Sequence, residues 1–243
     1  MKKIALIPAR YASTRFPFKL MQAIGDKPVI VHTYQNTVST GLFDEVCVVT
    51  DHASIYHAIL EIGGKVIMSK KNHESGSDRI AEVARESDAA IILNVQGDEP
   101  FVDKNTLSQL LDVFKDVEVM VGSVMKPFKN RSLIADPNYV KVVVDLQGRS
   151  LLFSRSPIPY ERDKDTGIPV YEHVGIYAFR KEALLKFTEM EMTPLEKAEK
   201  IECLRYLENG IPIKMVITDY EGVKIDVPED LEKAKAFWKK MKD

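Results

Sequence analysis

Four apolar runs, IALI, VCVVT, KVIM and AIILNV, punctuate the first part of the chain, and stretches with helical spacing separate them: near Val29 to Ser39, near Ser54 to Ile62 and near Asp78 to Ser87. Strand and helix in alternation build parallel βαβ units with right-handed crossovers, and strands apolar throughout are covered on both faces. The chain is therefore expected to be an α/β protein whose first half is a Rossmann-like sheet. With 243 residues, 45% of them hydrophobic, it has enough apolar side chains to fill such a core.

The middle changes character. VMVGSV, YVKVVVD and SLLFS are strand-like, and the DLQGR turn joins the last two as a hairpin. An antiparallel block at about 119–180 reads as a sub-domain within a single domain of residues 1–243, and exposed strands of this kind suit dimer contacts. Helical signals return in TPLEKAEKIECLRYLENG, where Thr193 and Glu196 have capping-box spacing, Pro194 takes the first helical position and Gly210 marks the stop. That pattern predicts one continuous helix. A strand near Ile213 to Thr218, a short strand ending at Asp226 and a helix opened by Pro228 complete the chain.

A net charge of −2 gives no global positive field, so nucleic acid is not an expected partner. The apolar stretch Ile4 to Ile7 is too short for a signal sequence, no run approaches a membrane span, and the chain reads as cytoplasmic. Cys47 and Cys203 lack the spacing of a zinc or redox pair.

Local chemistry is concentrated at predicted strand ends. Behind the first strand, Arg10, Arg15 and Lys19 stand among the small residues Ala9, Ala12 and Ser13. The loop is either an ordinary basic surface or a seat for a phosphate anion, and it has neither a P-loop nor a dinucleotide glycine pattern. NVQGDEP releases Asp98 and Glu99 at the end of the AIILNV strand, as a solvated turn or as hard oxygen ligands for Mg²⁺. Asp226 either caps the helix that follows it or converges with Asp98. Glu202, on the expected helix with Leu195, Ala198 and Tyr206, is either ion-paired or available to a substrate hydroxyl. His173, Gly175 and Tyr177 alternate onto one strand face, with Arg155 and Arg162 nearby in sequence. No G-x-S-x-G or H-E-x-x-H pattern supports nucleophilic hydrolysis or zinc proteolysis.

Taken in order, IPARYASTRFP, TDH, HESGSDRIAEV, NVQGDEP, NYVKVVVD, SRSPIPYERD, HVGIYAFR, TPLEKAEKIECLRYLENG and IDVPEDLEKA resemble the 3-deoxy-manno-octulosonate (Kdo) cytidylyltransferases over essentially the whole chain. The resemblance implies a homodimeric, Mg²⁺-dependent enzyme with a nucleotide-diphospho-sugar transferase fold. It would join CTP and Kdo into CMP-Kdo and pyrophosphate for lipopolysaccharide biosynthesis. By the same match Lys19, Arg15, Asp98 and Asp226 are catalytic, and Asp98 and Asp226 ligate the metal. Ala9, Arg10, Ser13, Arg15, Lys19, Ser75, Gly76 and Arg79 hold the nucleotide, while Gln96, Arg162, His173, Tyr177 and Glu202 orient the sugar acid.

The sequence departs from that family at the opening loop, where Phe18 replaces the usual Gly of R-x-P-G-K and Leu20 follows Lys19 where Pro is common. Cys203 stands where the family has Gln. A CMP-sugar synthetase for sialic acid or a related acid is the neighbouring alternative, and a non-catalytic nucleotide-binding module is the alternative from another class.

Overall fold

The computed structural model describes residues 1–13, 15–71, 73, 75–163 and 167–242; Thr14 and Glu74, which belong to two of the motifs above, lie outside them. The chain divides into two compact units, Met1–Leu107 with Tyr220–Asp243, and Ser108–Asp219.

Unit one contains strands β1 (Lys3–Ala9), β2 (Ala23–Ile24), β3 (Lys27–Pro28), β4 (Glu45–Thr50), β5 (Val66–Met68) and β6 (Ile91–Asn94), and helices α1 (Val29–Ser39), α2 (Ala53–Glu61) and α3 (Gly76–Glu86). Its sheet runs β6-β1-β4-β5, with every pairing parallel, and Leu6 lies opposite Cys47 on one side and Asn94 on the other. The apolar runs fill the centre as expected: Ile4, Leu6, Ile7, Val48, Val49, Ile92 and Leu93 are buried. Parallel strands end together, so the loops after β1, β4 and β6 gather at one edge of the sheet, where open α/β sheets bind ligands.

Unit two begins within α4 (Lys104–Asp112) and continues through β7 (Val121–Pro127), β8 (Lys141–Val144), β9 (Ser150–Ser154) and β10 (Tyr171–Arg180), followed by α5 (Lys181–Phe187), α6 (Pro194–Glu199), α7 (Leu204–Glu208) and β11 (Ile213–Ile217). β7 pairs antiparallel with β10 and parallel with β11, while β10, β8 and β9 continue antiparallel. The strand-rich block at 119–180 lies inside this unit, which reaches residue 219 because β11 joins β7. The last helix, α8 (Pro228–Lys242), returns to unit one and sets Phe237 against Phe101 with ring centres 4.9 Å apart.

Two expected elements form differently. The single helix over 193–210 is broken into α6 and α7, with Lys200 left-handed (φ 54°) between them. Arg155 Nε–H donates to the Glu199 carbonyl at 2.7 Å, occupying an acceptor the next helical turn would need. Glu202 and Cys203 therefore lie in the turn between two short helices, and the helical face proposed for Glu202 does not exist. The residues before Asp226 are not a strand either; they are held by Ile225 N–H donating to the Asp98 carbonyl at 3.0 Å.

Among the described residues no helix is long and apolar enough to cross a membrane.

Candidate active site

The opening loop places its cations at the carboxyl end of β1. Lys19 begins a short 3-10 turn directly after Phe18, and its ammonium donates to Asp98 Oδ2 at 2.5 Å and to Asp226 Oδ1 at 2.8 Å. Arg15 reaches the same Asp226 oxygen at 3.3 Å, and Lys224 lies 3.5 Å from Asp226 Oδ2. Among the described residues, Asp98 Oδ1 is buried with no hydrogen-bond partner. Thus Lys19, Arg15, Asp98 and Asp226 come together, although sequence alone could not establish their convergence.

Asp226 does not cap α8. Its own N–H and that of Val227 donate to Asp230 Oδ2 at 3.2 and 3.3 Å, so Asp230 caps this end and the Asp226 carboxylate is left for the cations. Burial acts to raise the Asp226 pKa, but Lys224, Lys19 and Arg15 outweigh it and hold the group at about 2. The charge of Asp98, followed by that of Asp226, pushes Lys224 upward despite desolvation. Asp226 and Lys224 therefore face each other as a charged pair at neutral pH.

Gly97 lets the Asp98 loop sit against β1: a Cβ there would meet the Pro8 carbonyl oxygen at 2.9 Å and Ile30 and Leu20 at 3.3 Å. Thr33 of α1 donates to the Gly97 carbonyl at 2.9 Å, fixing the loop from the other side.

Phe18 has φ 59° and ψ 23°, the left-handed conformation that favours Gly. Its half-exposed ring lies 4.6 Å from Tyr11, which stacks on His52 with centroids 3.5 Å apart and planes 4° from parallel. The loop has accommodated Phe by turning its ring onto an aromatic pair. Phe18→Gly relieves about 1–2 kcal/mol of left-handed strain but loses about 0.5–1.5 kcal/mol of ring contact and adds unfolded-state freedom. It should therefore change stability by less than about 1 kcal/mol, read from a melting curve.

The remaining nucleotide-side residues occupy varied settings. Arg10 is exposed immediately after β1, Ala9 is buried and Ser13 half-buried. Ser75 caps α3, accepting from Asp78 N–H at 3.1 Å, and a Cβ on Gly76 would approach Pro8 at 3.3 Å. Arg79, in contrast, is buried and directed inward, donating to Asp51 at 2.7 Å and Ser69 at 3.0 Å. Asp51 also accepts the Tyr11 N–H at 3.1 Å, so Arg79 reaches the opening loop through that carboxylate. Gln96 belongs to this unit and donates to Asn94 at 3.2 Å.

In unit two, His173 Nε2 is 3.0 Å from Ser123 Oγ and its ring meets Tyr177 edge-on at 5.3 Å. A bulge between Val174 and Tyr177 inserts two residues relative to β7. Two extra residues preserve the alternation, which keeps His173, Gly175 and Tyr177 on one face. Tyr177 is hydrogen-bonded to Cys203; burial first, then Cys203, raises the phenol pKa well above its usual value, and burial takes the Cys203 thiol to about 12. Arg162 is exposed. The sequence reading missed Lys224, although on the short strand expected before Asp226 two residues apart would have shared one side.

Comparison with known proteins matches residues 4–225 to the cytidylyltransferase family model. The 3-deoxy-manno-octulosonate cytidylyltransferase of Flavobacterium johnsoniae is 56% identical over 240 residues, covering 98% of each chain. That of Christiangramia forsetii is 53% identical over 235 residues, 96% of this chain and 95% of the relative. A solved structure of CMP:2-keto-3-deoxy-manno-octonic acid synthetase complexed with CTP superposes with a TM-score of 0.95, at 36% identity, over 99% of this chain and 100% of that one. The similarity includes a mixed α/β fold with a large, mostly parallel central sheet.

Proposed function

The chain belongs to the 3-deoxy-manno-octulosonate cytidylyltransferases, within the cytidylyltransferase family, and from that membership we propose that it transfers CMP from CTP to Kdo at the Lys19–Asp98–Asp226 cluster. The observation that carries the reading is the carboxylate pair bridged by one ammonium, with Asp98 Oδ1 buried and unsatisfied. A buried carboxylate oxygen without a partner suits a cation. Two carboxylates are also the usual protein share of a Mg²⁺ sphere completed by water and phosphate oxygens. Asp98 and Asp226 would hold the ion, which when bound supplies charge neutralisation at the α-phosphate.

The protein's own groups do the rest. Arg10, Arg15 and Lys19 bind the triphosphate, and Lys19 is released toward it as its carboxylates take up other cations. The N-terminus of α3, at Ser75 and Gly76, offers backbone N–H groups to nucleotide oxygens, as do Ala9 and Ser13 in the opening loop. Arg79 supports that loop through Asp51. Gln96, Arg162, His173, Tyr177 and Glu202 orient the sugar acid, with the Arg162 guanidinium matched to its carboxylate. The anomeric oxygen of Kdo forms the new bond to the α-phosphorus as the bond to pyrophosphate breaks. Such a reaction depends on alignment and charge neutralisation, which this cation-rich loop supplies. We extend the proposal to a cytoplasmic homodimer in which residues 1–243 act as a single cytidylyltransferase domain.

Pyrophosphate release, measured with each of four nucleoside triphosphates against Kdo, sialic acid and no sugar, tests the assignment. Release is expected only with CTP and Kdo together. Turnover of sialic acid in place of Kdo would reassign the acceptor, and nucleotide binding without release under any pairing would reduce the chain to a binding module.

A further inference from the structure

Asp226 is where three cations of unit one meet, and they hold it unequally. Lys19 is the tightest, 2.8 Å from Oδ1 with only 12% of its side chain exposed, and it is anchored a second time by Asp98. Arg15 shares Oδ1 at 3.3 Å. Lys224 is the one cation among the described residues that faces Oδ2, at the longer distance of 3.5 Å and with 51% of its side chain exposed. At that distance the ammonium acts on Asp226 through its charge more than through a short hydrogen bond, so a more highly charged cation can displace it. Any cation approaching Oδ2 meets the Lys224 charge first.

We propose that Lys224 is an exchangeable counter-cation of Asp226, which occupies the outer carboxylate oxygen and weakens binding of free divalent ions until a nucleotide arrives. This holds only if Asp98 and Asp226 are the metal carboxylates, as proposed above. A divalent ion entering alone must push an ammonium group off Oδ2 and then remain beside it, two like charges a few ångströms apart. An ion arriving with a triphosphate brings anionic oxygens that take up the displaced ammonium. Lys224 thus couples metal entry to nucleotide entry without itself being a metal ligand. The Ile225 N–H that donates to the Asp98 carbonyl holds this segment in place, with Lys224 on one side of Ile225 and Asp226 on the other.

The test is a titration of the whole protein with Mn²⁺ in the absence of nucleotide, following the free-ion signal by electron paramagnetic resonance. Lys224→Gln is expected to bind Mn²⁺ about fivefold more tightly than the parent, the effect of removing one nearby charge, while Lys224→Arg stays within about twofold. Equal affinity in the parent and Lys224→Gln, or weaker binding in the variant, overturns the proposal. Asp226→Ala separates the two levels. If it abolishes Mn²⁺ binding while Lys224→Gln matches the parent, only the role of Lys224 falls. If it binds Mn²⁺ as the parent does, the carboxylate assignment falls and takes the counter-cation with it. Circular dichroism confirms that each variant is folded.

Discussion

Asp98→Ala is expected to lower kcat with CTP and Kdo by about 10³-fold or more, the scale on which removal of a single charge-stabilising group acts in preorganised sites. Asp98 contributes one of the two carboxylates that meet Lys19, through Oδ2, and among the described residues its Oδ1 has no hydrogen-bond partner. Removing the side chain leaves Lys19 attached only to Asp226 and deletes half of the proposed metal site. The fold has little reason to respond, because the Asp98 backbone carbonyl still accepts from Ile225 N–H. A pyrophosphate assay at saturating Mg²⁺, paired with a melting curve, measures both consequences. Metal-dependent turnover near the parental rate would remove Asp98 from the metal site.

Glu196→Ala should cost unit two about 3–5 kcal/mol, the usual consequence of stranding one member of a buried ion pair. Both Glu196 oxygens accept from the Arg205 guanidinium, Nε–H and Nη2–H each at 2.7 Å, and both residues are buried. The guanidinium also sits 4.0 Å from the Phe187 ring centre and donates to the Phe187 and Met190 carbonyls at 3.2 Å. Without Glu196 the buried guanidinium loses both of those charge-assisted hydrogen bonds. Denaturant unfolding followed by circular dichroism reads the loss, and Arg205→Met added to Glu196→Leu should recover most of it. A loss below about 1 kcal/mol would mean that solvent reaches Arg205 in solution.

The regular part of unit one was legible because its strands announce themselves locally. IALI, VCVVT and AIILNV are apolar in every residue or nearly so, and β1, β4 and β6 are buried where those runs lie. Two helices carried signals of the same local kind that the reading passed over. In α4, Leu107, Leu110 and Leu111 repeat at helical spacing and Asp103 accepts the Thr106 N–H, while α5 buries Ala183, Leu184 and Phe187. The break at Lys200 is another matter. Its local sequence favours a helix, and what opposes the helix is Arg155, a side chain from β9's end that takes a carbonyl from it. Tertiary contacts of that sort leave no periodicity to read.

The site was legible as a parts list. Charged residues at the ends of apolar strands pointed to an edge where ligands bind, and Asp98 and Lys19 stood at such ends. Their meeting with Asp226 depends on the path of the chain, and the inward commitment of Arg79 depends on Asp51. The left-handed backbone at Phe18 follows from its position in a loop that usually has Gly, whereas the ring's contact with Tyr11 depends on how the loop folds back.

The path of the chain also sets a timetable for biosynthesis. Unit one is assembled from Met1–Leu107 and Tyr220–Asp243, so all of residues 108–219 must be translated between Asp98 and its partner Asp226. At ordinary elongation rates that interval is on the order of ten seconds. During it the nascent β-sheet of unit one waits without α8, and the Asp98 carbonyl waits without the Ile225 N–H that later docks on it. A ribosome that stalls anywhere in unit two therefore leaves a chain with most of its sheet and no second carboxylate, which makes the completed cluster a record that translation has passed residue 226.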